Sequence, residues 1–206
     1  MTDARTEILA RVRAALDAGG AERRDVPLPD VFRTAERSFD ATTFIERARA
    51  VGATVTEVAP SEDVGEVLRG VLRDLGAQRV AISDHADVRA AVEGYECELV
   101  EPDAPRAELF TCDVGVTTAQ LGIAETGTLA LRSNAERHRL TSLVPEVHVA
   151  LLRRDTIVPT LDEALAADAD LPRCTSFITG PSRTGDIEME LVVGVHGPMA
   201  LHIVVY

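Results

Sequence analysis

Short β-branched or apolar runs alternate with amphipathic stretches along most of this 206-residue chain, and glycine closes several of the stretches. Ala41 to Val51 has helical spacing and ends at Gly52, and Ala53 to Val58 carries Thr54, Val55, Thr56 and Val58, which suit a strand. Ser61 or Asp63 can cap a helix that runs to Leu75 and stops at Gly76. Arg79 to Ile82 then reads as a strand, Ala86 to Val92 as a short helix and Glu96 to Val100 as another strand. Strands and helices taken in turn require crossover connections, which build a mostly parallel sheet with helices on its faces.

Beyond Asp113 the pattern changes. Asp113 to Val116, Gly127 to Arg132, Val147 to Leu152, Ser176 to Thr179 and Leu201 to Val205 are strand-like, while helices are expected only over Leu161 to Ala167 and Ile187 to Val193. The expected fold class is therefore α/β: an open, mixed but mostly parallel sheet flanked by helices, with hairpins added to its core. Residues 1–38 stand apart as a helix from Asp3 to Leu16, stopped by Gly19 and Gly20, and an extended arm containing Pro27 and Pro29. Residues 39–206 are expected to form the α/β domain.

Charge and residue usage exclude several functions. The net charge is -13, which opposes binding to nucleic acid or to an anionic membrane surface. Every basic residue other than histidine is arginine, so lysine Schiff bases, pyridoxal-phosphate chemistry and a P-loop lysine are unavailable. Cys97, Cys112 and Cys174 are odd in number and widely spaced, which fits a reducing compartment and neither a disulfide framework nor an iron–sulfur cluster held by this chain alone. With no signal-like or membrane-spanning apolar run, a cytoplasmic location is expected. GxGxxG, GxxxxGKS/T and HExxH are all absent, and the histidines lack ligand spacing, so neither a bound cofactor nor a metal is expected.

Three polar segments between apolar strands can carry chemistry. In Thr117 to Thr128, Glu125 precedes Thr126, Gly127 and Thr128; the turn can offer amides and hydroxyls to an anion, with the carboxylate as base, nucleophile or acceptor. The same residues also suit a plain hairpin turn. Arg132 to Ser142 holds three arginines and His138, suited to a carboxylate or phosphate, or else forms an exposed loop whose arginines pair with Glu136 or Glu146. Thr179 to Asp186 is a Gly/Ser/Thr loop with Arg183, leading to Asp186 as a candidate N-cap; His196 follows between two glycines. A lone His202 in the last strand reads as a core residue.

Four motifs occur in order: Ala124-Glu125-Thr126-Gly127-Thr128, His138-Arg139-Leu140, Gly180-Pro181-Ser182-Arg183-Thr184 with Asp186-Ile187-Glu188, and Gly194-Val195-His196-Gly197-Pro198. Together they resemble the LUD-domain family over roughly Phe39 to Tyr206. The resemblance implies a fold like that of ribose-phosphate isomerases and coenzyme A transferases. It also implies a role beside two iron–sulfur partner proteins in oxidising L-lactate to pyruvate. The chain lacks the cysteine-rich segment of longer relatives and so looks like the short, cluster-free type. On this reading Glu125 is the catalytic candidate. Thr126, Gly127, Thr128, His138, Arg139, Ser182, Arg183, Thr184, Asp186 and His196 are expected to bind a small carboxylate or phosphate in a crevice beyond the carboxyl ends of the strands. A stand-alone isomerase or coenzyme A transferase-like enzyme, with Glu125 as acid/base or nucleophile, and a purely structural protein remain the alternatives.

Overall fold

Apolar runs such as Val147–Leu152 and Leu201–Val205 leave no polar face, so the strands they form must be covered on both sides. The computed structural model, which describes residues 4–18, 39–137, 139–166, 172–185 and 191–206, shows how. The chain divides into two units, Met1–Arg37 and Ser38–Tyr206. The first contains helix α1 (Ala4–Ala18); the expected glycine stop and the extended arm lie outside the described residues.

The second unit opens with α2 (Ala41–Ala50), whose N-cap Asp40 accepts a hydrogen bond from Thr43 N at 2.9 Å. That bond and one from the Thr43 hydroxyl hold the Asp40 carboxyl below the usual range. Next come β1 (Thr54–Glu57), α3 (Val64–Asp74), β2 (Arg79–Ile82), α4 (Ala86–Val92), β3 (Glu98–Val100), the single-turn α5 (Arg106–Leu109) and β4 (Val114–Ala119). Asp63, rather than Ser61, caps α3 by accepting from Glu66 N. The chain continues through β5 (Leu121–Ile123), β6 (Thr128–Arg132), β7 (Val147–Leu152), β8 (Ile157–Val158), α6 (Leu161–Ala166), β9 (Thr175–Ile178), β10 (Arg183–Gly185), β11 (Leu191–Val193) and β12 (Ala200–Val205).

Six strands form a sheet in the order β1-β12-β7-β4-β2-β3, and every pairing in it is parallel. Leu151 and Val204 join α3 and α4 in one apolar cluster with Leu68, Leu72 and Val88. Their neighbours Leu152 and Ile203 join α2 in another with Phe44, Ile45 and Leu129. Alternate side chains thus enter opposite layers, as the period of a strand requires. The expected hairpins do not extend this sheet. They form a separate four-stranded sheet, β8-β5-β6-β9, which helps cover the α2 face.

One expected helix is corrected. Leu191–Val193 is strand β11, paired antiparallel with β10, and 187–190 lie outside the described residues. β10 itself was expected as loop. Once Arg183–Gly185 offers an edge, the run Leu191-Val192-Val193 satisfies its backbone by pairing, which its β-branched residues favour.

Gly127 ends the β5–β6 turn with φ +65°, and a Cβ there would overlap the backbone of Arg47 and Ala48 in α2. The turn packs directly on the helix. Gly127→Ala is expected to cost about 3 kcal/mol from left-handed strain and overpacking. Urea denaturation measures this, and an unchanged midpoint would contradict the packing. Half-buried His202 meets the Thr56 hydroxyl through Nε2 at 3.0 Å. Burial pushes its pKa down, with Asp74 partly opposing. The unfolded chain protonates this histidine near pH 6.5, above the folded value. Its contribution is therefore complete above about pH 6.5 and lost as pH falls through the folded-state pKa. Stability is expected to drop as pH falls below about 6.5, and His202→Gln to flatten part of that drop. An equal drop in the variant would count against it.

Candidate functional site

The amino ends of β7 and β12 open into a cavity of about 470 Å³. Its floor is polar. His148, the second residue of β7, is 1% exposed and meets the buried Thr117 hydroxyl through Nε2 at 2.9 Å. Ser142, equally buried, lies beside it on the segment that enters β7. Arg183 and His196 are exposed residues of the lining, with half-buried Ser182. Val51, Ile178 and Leu201 give apolar wall.

Glycines let these segments approach one another. Gly180 has φ +73°, and a Cβ there would press on the Val51 carbonyl at the end of α2. A Cβ at Gly52 would overlap the Arg183 guanidinium, which therefore lies against the carboxyl end of the same helix. That end carries partial negative charge, a favourable setting for a cation. Ser182 N donates to Pro198 O and Gly194 N to Ser182 O, each at 2.9 Å, so the Arg183 and His196 segments are tied together. A guanidinium, two imidazoles and hydroxyls around one hollow can bind an acid group by charge-assisted hydrogen bonds.

The structure brings Ser182, Arg183 and His196 to this cavity. Thr184, half-buried, belongs to β10 beside them. Thr126 and Thr128 reach it indirectly: their hydroxyls are 2.7 Å apart, and Thr128 is 2.7 Å from the hydroxyl of Thr179, a lining residue. Gly127 serves the contact with α2. His138 and Asp186 lie outside the described residues.

Two residues part from the expected cluster. Glu125 is absent from the lining; its Oε1 accepts from Leu161 N at 3.0 Å, at the start of α6, and so satisfies a free donor of that helix. Arg139 lines a different hollow with Glu136. The position differs as well. The Arg183 cavity opens at the amino ends of the parallel strands, not beyond their carboxyl ends, because the segments that enter β7 and β12 carry its residues.

Two buried polar residues escaped the sequence reading. His148 had a weak signal, as the single polar residue in the run Val147–Leu152. Glu136 had none: it was expected as an exposed partner of arginines, yet it is 4% exposed and accepts hydrogen bonds from Ser83, Thr118 and Gln120. Among the described residues, no three His, Cys, Asp or Glu side chains are grouped to hold a metal ion, and no helix is long and apolar enough to cross a membrane.

Lactate utilization protein C of Bacillus licheniformis is 45% identical over 101 residues, covering 45% of this chain and 42% of that one. The protein of the same name from Bacillus subtilis is 34% identical over 133 residues, 61% of this chain and 55% of that one. Uncharacterized protein YkgG of Escherichia coli is 35% identical over 174 residues, 76% of this chain and 74% of that one. The match thus spans about half the length of the Bacillus relatives. The crystal structure of a DUF162 family protein from Deinococcus radiodurans superimposes with a TM-score of 0.61 at 28% identity, covering 80% of this chain and 94% of that one. The LUD domain profile matches residues 41–206, from the first residue of α2 to the end of the chain, and the chain belongs to the LUD domain family.

Proposed function

We propose that this chain is a non-redox, cytoplasmic subunit of an L-lactate-oxidising system, working beside iron–sulfur partner proteins. In this reading the Arg183 cavity seats the acid group of a small carboxylate or phosphate. Relatives named lactate utilization protein C support the setting. The observation that carries the site is convergence: Ser182, Arg183 and His196 face the same hollow as buried His148. Pyruvate and lactate each carry a planar carboxylate that a guanidinium fork matches. Oxidising lactate to pyruvate releases two electrons, and three scattered free cysteines are too few for a four-thiolate cluster, so the electrons are assigned to the partners.

The stand-alone isomerase or coenzyme A transferase reading has less behind it, because the Glu125 carboxylate binds the first turn of α6. A turnover of sugar phosphate or coenzyme A thioester that Glu125→Gln abolishes would restore it.

Ligands that bind only the folded state raise its melting temperature. Pyruvate or phosphate is expected to do so for the full chain, and Arg183→Gln to weaken the apparent affinity by roughly tenfold to a hundredfold. Arg183 is exposed, so the variant is expected to fold. No shift with either ligand, or an equal shift in Arg183→Gln, would remove the anion site. The iron–sulfur proteins are expected to co-purify with the chain, and their failure to do so would remove the partnership.

A further inference from the structure

We propose that the Arg183 cavity takes a monocarboxylic acid with an apolar body of about six to eight carbon atoms, its acid group on Arg183 and its body along Val51, Leu143 and Phe177. This names the ligand class of the acid seat proposed above and rests on it. Size supplies the first reason. The cavity measures about 470 Å³. Sites that bury a drug-sized ligand have roughly 300 Å³ or more. A three-carbon acid on Arg183 fills a small part of that space and leaves the remainder of the wall to water.

The wall supplies the second reason. Among the described lining residues Arg183 is the one arginine, and a single guanidinium seats a single acid group. Val51, Leu143, Phe177, Ile178 and Leu201 are apolar. A polyphosphate would set its further charges against these side chains, whereas a hydrocarbon body matches them.

The acid seat and the apolar wall adjoin. A Cβ on Gly52 would overlap the Arg183 guanidinium and stand 3.6 Å from Pro181 Cδ. One on Gly180 would stand 3.3 Å from Val51 Cγ2. One on Gly197 would stand 3.3 Å from Ser182 Cβ and 4.0 Å from Leu143 Cδ2. Apolar side chains thus reach the segments of Arg183 and His196 both from the end of α2 and from the chain entering β7. Phe177 and Ile178 are successive residues of β9, so their side chains leave opposite faces. Ile178 packs against the cluster that contains Phe44 and Ile45 of α2. Phe177 therefore turns outward and stays 46% exposed at the cavity, as Leu143 stays 39% exposed. Water on these two side chains is unfavourable, and an apolar ligand body displaces it.

Titration calorimetry of the full chain with butyrate, hexanoate, octanoate and 1-octanol tests this. Each added methylene is expected to tighten binding roughly threefold, so octanoate is expected to bind roughly thirtyfold to a hundredfold more tightly than butyrate. 1-Octanol, which has no acid group, is expected to bind at least about tenfold more weakly than octanoate. Phe177→Ala, at an exposed position, is expected to cut the preference for octanoate over butyrate by roughly fivefold to tenfold. Affinities that do not rise from butyrate to octanoate, while butyrate binding is lost in Arg183→Gln, overturn the apolar body and leave the acid seat standing. An unchanged preference in Phe177→Ala places the body elsewhere and overturns the proposal as well. Octanoate bound equally by the wild-type chain and Arg183→Gln removes the acid seat and the proposal with it.

Discussion

The carboxyl end of α2 is the point against which two distant segments are set, and they reach it because no side chain intervenes. Gly127 rests on the backbone of Ala48, Gly180 on the carbonyl of Val51, and Arg183 lies over Gly52. The first two glycines have positive φ, a conformation with little penalty only for glycine. The contacts bring backbone within van der Waals distance of a helix end, where dense packing tolerates no added atoms. The Arg183 guanidinium is thereby placed at the negative end of the helix dipole while still lining the cavity. The polar site thus depends on steric vacancies rather than on a rigid network of ion pairs.

The two ends of the parallel sheet are built differently. At the amino ends, His148 and Ser142 form a floor that is reached between loops, and the cationic group comes from the β10–β11 hairpin. At the carboxyl ends, Glu136 bridges β2 and β4 through hydroxyl and amide donors. The hydroxyls that meet His148 and Glu136 belong to successive residues of β4, Thr117 and Thr118, whose side chains leave opposite faces of the strand.

Much of the fold was legible because periodicity is a local property. Arg79–Ile82, Ala86–Val92 and Val147–Leu152 have the expected bounds, and Gly52 and Gly76 follow the helices they were expected to close. What was not legible depends on partners far along the chain. β11 is a strand because β10 pairs with it, and nothing within 187–193 announces that pairing. Ser182, Arg183 and His196 were singled out from motif order, but their location at the amino ends follows from the parallel arrangement of β12 between β1 and β7. Glu125 was misleading because a carboxylate beside a Thr-Gly-Thr turn looks the same whether it meets a ligand or the first turn of another helix. Glu136 was overlooked because its burial is decided by Ser83 and Thr118, distant in sequence.

The most direct measurement is a crystal structure of the full chain grown with saturating pyruvate. The account predicts a carboxylate within about 3 Å of the Arg183 guanidinium, in the cavity floored by His148. Pyruvate bound only elsewhere, or a cavity holding nothing but water at that concentration, would contradict it.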